Sequence, residues 1–237
     1  MQAVILAAGR GTRMNELTMA TPKPMLPVAG RPLLEYKIDA LPDGFDEVIL
    51  IVGYLQEVIK RHFGAMYGGK KIVYIEQKDL DGTAGALWSA KEFLHDRFLI
   101  MMGDDIYMKE DVTRCIEKEN VWTLLVQQLP EMRRAGSVKL DANGGIEDII
   151  ESSSEDAERV AAGIASTNLY VLDTRLFSSP LIPKHAGSLE YGLPQTVVNA
   201  AHTLGIPFEP VFTEKWIQIT APKDLVTAGD LFKKLNV

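Results

Sequence analysis

The fold is decided by the stretch Gln2-Ala3-Val4-Ile5-Leu6-Ala7-Ala8-Gly9-Arg10-Gly11-Thr12-Arg13, an apolar run that leads directly into a glycine-rich turn. Such a turn places backbone N–H groups at the carboxyl edge of a sheet, where α/β proteins bind ligands. The two glycines allow positive φ angles and close approach of the main chain to an anion. Thr12 and Arg13 add side-chain donors that suit phosphate oxygens. The stretch therefore predicts a buried strand over residues 2–8 with an anion site at its end.

A second short segment reinforces this prediction, because Pro22 and Pro24 flank Lys23 in the run Thr21-Pro22-Lys23-Pro24-Met25-Leu26-Pro27. The two prolines restrict the backbone on both sides, so the lysine has less freedom to lose when it meets a phosphate. Residues 1–31 carry four basic side chains against one acidic one, a local balance of +3 in a chain of net charge −7. The rest of the chain therefore sums to −10, which indicates a compact anion site rather than a generally basic surface.

Two familiar glycine motifs are excluded. A dinucleotide-binding fingerprint requires a glycine three positions after the second one, where this sequence has Met14. A P-loop requires Gly-Lys followed by Ser or Thr, whereas Gly69-Lys70 is followed by Lys71. Taken alone, a Gly-x-Gly turn after a strand is a weak motif that also occurs in ordinary tight turns.

Apolar spacing along the chain predicts an α/β fold. Strands are expected at 2–8, 47–52, 72–76, 98–102, 121–129, 164–172 and 208–219, and helices near 34–41, 55–63, 84–94, 112–119, 174–178, 188–203 and 224–235. Residues 137–141 and 146–151 flank a turn of Asp141-Ala142-Asn143-Gly144-Gly145, which is typical of a hairpin. Strands that alternate with helices predict a mostly parallel sheet covered on both faces. Residues 152–158 are expected to form a polar, acidic loop.

Composition limits the function classes. The chain has 237 residues, 46% hydrophobic and 24% charged, which suits one α/β domain. Its net charge of −7 argues against a nonspecific nucleic-acid or anionic-membrane binder. No apolar run approaches the ~20 residues that cross a bilayer, and the first residues are typical of a strand rather than a signal peptide. With Cys115 as the single cysteine, no internal disulfide can form, and the cytoplasm is the expected location.

Further motifs occur along nearly the whole chain. The sequence resembles the sugar-1-phosphate nucleotidylyltransferases (NDP-sugar pyrophosphorylases) in five features that follow in order: the glycine turn and Pro22-Lys23-Pro24, Gly82-Thr83-Ala84-Gly85-Ala86-Leu87, Gly103-Asp104, Ala165-Ser166-Thr167-Asn168-Leu169-Tyr170, and Trp216 through Asp224-Leu225. The resemblance implies a Rossmann-like three-layer sandwich with a mostly parallel mixed sheet and a small β-rich acceptor-binding lobe. It also implies one nucleotidyltransferase domain over 1–237, with a nucleotide-binding half (1–130) and an acceptor-binding half (131–237). A β-helix domain, which many relatives append, is not expected here.

By the same resemblance, the reaction joins an NTP to a sugar 1-phosphate and releases pyrophosphate with the help of Mg²⁺. Arg13 is then expected to hold the β- and γ-phosphates, Lys23 to neutralise charge on the α-phosphoryl group, and Asp104 to bind magnesium. The implied nucleotide-binding residues are Leu6, Ala7, Ala8, Gly9, Gly11, Thr12, Arg13, Gln77, Gly82 and Thr83. The implied acceptor-binding residues are Gly136, Glu151 and Asn168. A homo-oligomer is possible, with no nucleic acid or membrane as partner.

The sequence does not decide which base the NTP carries. A glutamine amide at position 77 offers a donor and an acceptor, so it can pair with uracil or thymine. In contrast, the segment from Gly82 to Leu87 looks more like the guanylyl-transferring branch of the family. The two indications conflict.

Two positions depart from the family pattern. The family usually has a lysine after the glutamate matched to Glu151, and this chain has Ser152; it usually has a second metal-binding aspartate where this chain has Gln218. A neutral amide is a poorer Mg²⁺ ligand than a carboxylate. Two alternatives therefore remain: a cytidylyltransferase acting on phosphocholine or inositol phosphate, and a non-catalytic nucleotide-sugar-binding protein.

Overall fold

The computed structural model describes residues 1–132, 136–151 and 160–235. Its strands are β1 (Gln2–Ala7), β2 (Pro27–Val28), β3 (Arg31–Pro32), β4 (Glu47–Val52), β5 (Met66–Tyr67), β6 (Lys70–Glu76), β7 (Arg97–Met102), β8 (Trp122–Met132), β9 (Ser137–Leu140), β10 (Ile146–Ile150), β11 (Val160–Asp173) and β12 (Phe208–Thr213). Its α-helices are α1 (Leu33–Asp39), α2 (Gln56–Phe63), α3 (Thr83–Trp88), α4 (Lys109–Ile116), α5 (Leu193–Leu204) and α6 (Pro222–Leu235). Short 3₁₀ segments lie at Thr12–Thr18, Lys23–Met25, Lys91–Phe93 and Thr174–Ser178.

All the described strands except β2 and β3 belong to one ten-stranded mixed sheet. Its centre is parallel, because β1 lies between β4 and β7, and β6 continues the parallel set beyond β4. The long strand β11 runs antiparallel beside β7 and β8, and β12 pairs parallel with β8. The predicted hairpin is confirmed, because β9 and β10 pair antiparallel across the turn after Asp141. The mixed sheet with a parallel centre agrees with the fold class expected from the sequence.

Both faces of the sheet are covered, as a three-layer fold requires. In β1 the side chains alternate: Ala3, Ile5 and Ala7 lie in one buried cluster, whereas Val4 lies in the other. Strand β4 is buried on both faces in the same way, with Ile49 and Leu50 in opposite clusters. Apolar residues on successive positions therefore pack above and below the sheet, and each fully buried Val, Ile or Leu side chain contributes about 1.5–3 kcal/mol. The core fixes the carboxyl ends of the parallel strands along a single edge.

Three expected elements are markedly shorter in the structure. The strand expected over 208–219 ends at Thr213, whose hydroxyl accepts from the Lys215 N–H at 3.0 Å in a local turn and donates to the buried carboxylate of Asp111 at 2.5 Å. The helix expected from residue 188 begins at Leu193, where Pro194 occupies the first turn. The helix expected over 84–94 stops at Trp88, and only a short 3₁₀ turn follows. The acidic loop 152–158 lies outside the described residues.

The described helices do not include one that is both long and apolar enough to span a bilayer.

Candidate active site

One cleft of about 800 Å³ lies at the carboxyl ends of the parallel strands. It brings together residues from both halves of the chain, which the sequence analysis had singled out separately. Those lining it are Leu6, Ala7, Ala8, Gly9, Gly11, Thr12, Arg13, Lys23, Gln77, Gly82, Thr83, Asp104, Gly136, Glu151, Asn168 and Gln218. A second cavity of about 570 Å³, near the β9–β10 turn, is lined by none of these residues.

The glycine turn is held open toward this cleft. Gly11 has a φ of 62°, and a Cβ atom there would lie 2.8 Å from Cβ of Lys23, so the position requires glycine. Tyr54 anchors the loop by donating from its hydroxyl to the Thr18 carbonyl at 2.9 Å. No described residue accepts a hydrogen bond from the backbone N–H of residues 9–11. These N–H groups are therefore available to anion oxygens, with the exposed Arg13 side chain beside them.

Lys23 links three parts of the chain at the floor of the cleft. Its ammonium donates to the Asp104 carboxylate at 2.6 Å and to the carbonyl of Ile219 at 2.5 Å. The lysine is 6% exposed, whereas the Asp104 side chain keeps 35% of its surface accessible. The Pro22-Lys23-Pro24 segment, the end of β7 and the segment before α6 therefore meet at one ammonium group.

The adjacent carboxylates Asp104 and Asp105 point to different environments. Asp105 is buried, and its carboxylate accepts from Trp216 Nε1 at 3.1 Å and from the Ile219 N–H at 3.3 Å. Burial raises the pKa of the Asp105 carboxyl to about 7. Asp105 thus fastens the segment 216–219 against the end of β7, while Asp104 faces the cleft.

Lys37 is a polar residue that the sequence analysis missed. It lies in α1 with no exposed surface, and its ammonium donates to the backbone carbonyls of Asp105 and Leu33. Burial lowers the pKa of the Lys37 ammonium to about 8. Its position on the apolar side of α1, with Leu34 and Ile38, was a signal in the sequence, because a lysine on such a face has to find buried partners.

The cleft offers few protein ligands for a cation. Among the described residues, no cluster of three or more His, Cys, Asp or Glu side chains suits a metal ion. The Asp104 carboxylate and the Gln218 amide both line the cleft. This donor set fits Mg²⁺, which usually takes one or two protein carboxylates and completes its shell with phosphate oxygens and water.

Gln77, directly after β6, is held by its own loop. Its amide nitrogen donates to the Asp81 carboxylate at 3.0 Å and to the Gly82 carbonyl at 3.1 Å. The same loop is fixed from the other side, because Tyr191 N–H donates to the Asp81 carbonyl at 2.7 Å. A Cβ at Gly82 would lie 2.3 Å from the Tyr191 carbonyl oxygen, so only glycine fits this turn.

The predicted acceptor residues lie on the opposite side of the cleft. Asn168 has a φ of 57° at an irregularity of β11, and its side-chain oxygen accepts from the Tyr170 hydroxyl at 3.1 Å. Its amide nitrogen is thereby left to donate into the cleft. Glu151 and Gly136 line the same side, and Gly136 accepts from the Ser166 N–H at 2.8 Å. Ser152 lies outside the described residues.

Lys184 is a second residue that the sequence analysis missed. It lines the cleft together with Glu190 and Tyr191, in a loop closed by the backbone bridge between Pro183 and Tyr191. Its ammonium is 3.8 Å from the Glu190 carboxylate, and both side chains are exposed. Among the described residues that line the cleft, Lys184 is the cation contributed by the half from residue 131 onward. No motif in the sequence marks it, because the loop that carries it has no regular spacing.

Known proteins resemble this chain in sequence and in fold. The sequence matches the family described as Nucleotidyl transferase over residues 2–228. It is 30% identical to AglF of Haloferax volcanii, a UTP–glucose-1-phosphate uridylyltransferase, over 83% of this chain and 82% of AglF. It is 32% identical to the D-glycero-alpha-D-manno-heptose 1-phosphate guanylyltransferase of Campylobacter jejuni, over 75% of this chain and 78% of that protein.

The bifunctional protein GlmU of Methanococcus vannielii is 30% identical over 99% of this chain, which corresponds to 55% of GlmU. The chain therefore spans about half the length of such relatives. Among solved structures, HddC from Yersinia pseudotuberculosis, complexed with GMP-PN, has a TM-score of 0.72 at 22% identity over 98% of this chain and 99% of HddC. This likeness supports the fold.

Proposed function

Because the chain belongs to the nucleotidyl transferase family, we propose that it forms an NDP-sugar and pyrophosphate from an NTP and a sugar 1-phosphate. The observation that carries this proposal is the single cleft shared by the glycine turn, Lys23 and Asp104 on one side and Glu151 and Asn168 on the other. Two substrates can therefore meet in one place, with the nucleotide phosphates between the halves.

The reaction is an in-line displacement. A phosphate oxygen of the sugar 1-phosphate forms a bond to the α-phosphorus, and the bond from that phosphorus to the oxygen bridging to the β-phosphate breaks, so that pyrophosphate leaves. No covalent enzyme intermediate is required, and catalysis consists of positioning and charge neutralisation. The free N–H groups of the glycine turn and the Arg13 guanidinium bind the departing phosphates. The ammonium of Lys23 balances charge that grows on the α-phosphoryl group.

Magnesium is part of the proposal. When bound, Mg²⁺ would supply charge neutralisation for the nucleotide phosphates. Asp104 is the carboxylate that would hold it, with Gln218 as a weaker neighbour. Lys23 already holds the Asp104 carboxylate in a fixed orientation toward the cleft, so the ligand needs little reorganisation.

On the acceptor side, Glu151 accepts hydrogen bonds from sugar hydroxyls, and the Asn168 amide nitrogen donates to the sugar or its phosphate. We assign the binding of the acceptor phosphate to Lys184, since it is exposed in the cleft and faces no closer partner than Glu190 at 3.8 Å. Lys184 would thus supply the cation for the acceptor phosphate, since this chain has Ser152 where the family usually has a lysine. The uridylyl and guanylyl relatives are named for sugar 1-phosphate acceptors, which favours a sugar over phosphocholine or inositol phosphate. We place the activity in the cytoplasm.

The test is a substrate matrix. Each of five NTPs (ATP, CTP, GTP, UTP and dTTP) is combined with sugar 1-phosphates, phosphocholine and inositol phosphate, and pyrophosphate is measured with and without Mg²⁺. We expect release that needs an NTP, a sugar 1-phosphate and Mg²⁺ together. Turnover with CTP and phosphocholine would support the cytidylyltransferase alternative. Nucleotide-sugar binding without turnover in any combination would support the non-catalytic alternative.

A further inference from the structure

The Gln77 amide has no donor left for a ligand. An amide nitrogen carries two hydrogens, and here one is directed to the Asp81 carboxylate at 3.0 Å and the other to the Gly82 carbonyl at 3.1 Å. Both partners are acceptors only, so the amide has to present its nitrogen to them and its oxygen away from them. The orientation of this side chain therefore follows from chemistry and does not depend on how the two amide atoms are told apart.

The Gln77 oxygen is the part of the amide that is left for a ligand. The side chain is 8% exposed and lines the cleft, and no described residue donates to its oxygen. Leu80, Gly82 and Thr83 line the cleft next to it. The position after β6 therefore presents a hydrogen-bond acceptor at the place where donor and acceptor were both expected from the sequence.

Bases differ in how well they pair with a site that offers a hydrogen-bond acceptor, such as the Gln77 oxygen, and no donor. Guanine carries two adjacent donors, N1–H and N2–H, on its pairing edge. Uracil and thymine carry one donor, N3–H, between two carbonyl acceptors, so pairing with them needs a donor as well. Cytosine and adenine each present one amino group next to a ring-nitrogen acceptor.

We propose that Asp81 sets base specificity by binding the Gln77 amide nitrogen, and that the cleft consequently selects GTP over pyrimidine nucleotides. The inference rests on the proposed function, since it concerns the nucleotide of the same reaction. Asp81 does not line the cleft and acts through Gln77 as a positioning residue. Space for its carboxylate is provided by Gly85, where a Cβ would lie 2.0 Å from an Asp81 carboxylate oxygen.

The experiment measures nucleotide affinity by calorimetry on the full chain, with GTP, UTP, dTTP, CTP and ATP and without a sugar phosphate. This readout separates the inference from the proposed function, because a chain that binds nucleotides without turnover still reports its base preference. Lack of sugar-phosphate turnover alongside a GTP preference would contradict the function and leave the base inference standing. We expect GTP to bind tighter than UTP or dTTP on the order of 10- to 100-fold. Tighter binding of UTP or dTTP than of GTP would overturn the proposal.

Variants test the role of Asp81. Asp81→Ala releases one amide hydrogen of Gln77, so we expect the GTP-to-UTP affinity ratio to fall about tenfold. Asp81→Asn keeps an acceptor oxygen and should retain the wild-type ratio. Gly85→Ala should lower the ratio as well, because the added methyl group displaces the Asp81 carboxylate without changing its chemistry.

Asp79→Ala is the matched control, since Asp79 is an exposed carboxylate in the same loop. Circular dichroism checks that each variant is folded. An unchanged ratio in both folded Asp81→Ala and Gly85→Ala would overturn the assignment of specificity to Asp81. If Asp81→Ala does not fold, Gly85→Ala and Asp81→Asn decide the question by the same ratio.

Discussion

The ammonium of Lys23 lies 2.6 Å from the carboxylate of Asp104, although the two residues are 81 positions apart. The contact joins the Pro22-Lys23-Pro24 segment to the end of β7. This pair of opposite charges lies at the bottom of the cleft, where we propose that the nucleotide phosphates bind. Because the two side chains are in contact, the effects of replacing them are expected to be coupled rather than additive.

Replacing Lys23 tests the charge-neutralising role. We expect Lys23→Met to lower turnover by about 10²–10³-fold, as the loss of one preorganised donor does in other enzymes. The free energy of unfolding should also fall by about 1–3 kcal/mol, because the Ile219 carbonyl loses its buried donor. Lys91→Met, at an exposed lysine, is the control and should change neither quantity. Wild-type turnover in a folded Lys23→Met protein would remove Lys23 from the mechanism.

Gln218 provides a test of the metal site. Gln218→Asp adds a carboxylate to the side of the cleft that Asp104 occupies, and hard cations bind more tightly as the number of charged ligands rises. We therefore expect the Mg²⁺ concentration for half-maximal activity to fall severalfold. Gln128→Asp adds the same charge at an exposed position that does not line the cleft. If both variants have the Mg²⁺ requirement of the wild type, Gln218 lies outside the metal shell.

Lys184 can be tested by separating the two substrates. Lys184→Met should raise the KM for the sugar 1-phosphate by about 10-fold or more, because a hydrogen bond to a charged group is worth about 1.5–3 kcal/mol. The KM for the NTP should stay close to that of the wild type. Lys139→Met is the control, since Lys139 pairs with Glu147 on the exposed hairpin. An equal rise in both KM values would argue for a general effect on the cleft.

Asp105 is expected to make stability depend on pH. Its carboxyl has a pKa of about 7 in the folded chain, because burial disfavours its charge, and a pKa near 4 when unfolded. The folded state therefore binds more protons between these values, and stability falls as the pH rises from about 4 to 7. The charges of Asp104, Lys37 and Lys23 act on the same group, Asp104 raising the pKa and the two lysines lowering it.

The measurement is urea unfolding at pH 5 and pH 8, without Mg²⁺ or nucleotide. Asp105→Asn has no carboxyl at this position to titrate. From pH 5 to pH 8, the free energy of unfolding should therefore fall by about 1–3 kcal/mol more in the wild type than in Asp105→Asn. Asp79→Asn, at an exposed position, should follow the wild type. Identical pH dependence in all three proteins would show that Asp105 does not titrate in this range.

Much of the fold was predictable because it depends on local pattern. The parallel centre of the sheet was predicted from apolar strands that alternate with helices. The hairpin was predicted from the turn residues after Asp141. The end of β12 was not predictable, because the turn after it is held by the Thr213 hydroxyl, which is fixed in turn by Asp111, 102 residues away in sequence. Spacing alone cannot tell a strand from an extended segment that is held by side chains.

The site shows the same division. The residues in the glycine turn were found because a motif places them side by side, and the structure puts them in one cleft with the acceptor residues. The different environments of Asp104 and Asp105 depend on Trp216 and Ile219, which only the folded chain brings near. Lys184 was not predicted, because its loop shows neither helical nor strand periodicity in the sequence. The binding roles themselves stay predictions that the variants above can test.

The bond from Lys23 to the Ile219 carbonyl has a consequence for biosynthesis. The two residues are separated by 196 positions, so at about 5–20 residues per second the ribosome needs roughly 10–40 s to make the second after the first. During that time the N-terminal part of the nascent chain lacks the Ile219 carbonyl to which the Lys23 ammonium donates. The floor of the cleft is therefore a late product of translation, assembled only after the segment before α6 has emerged.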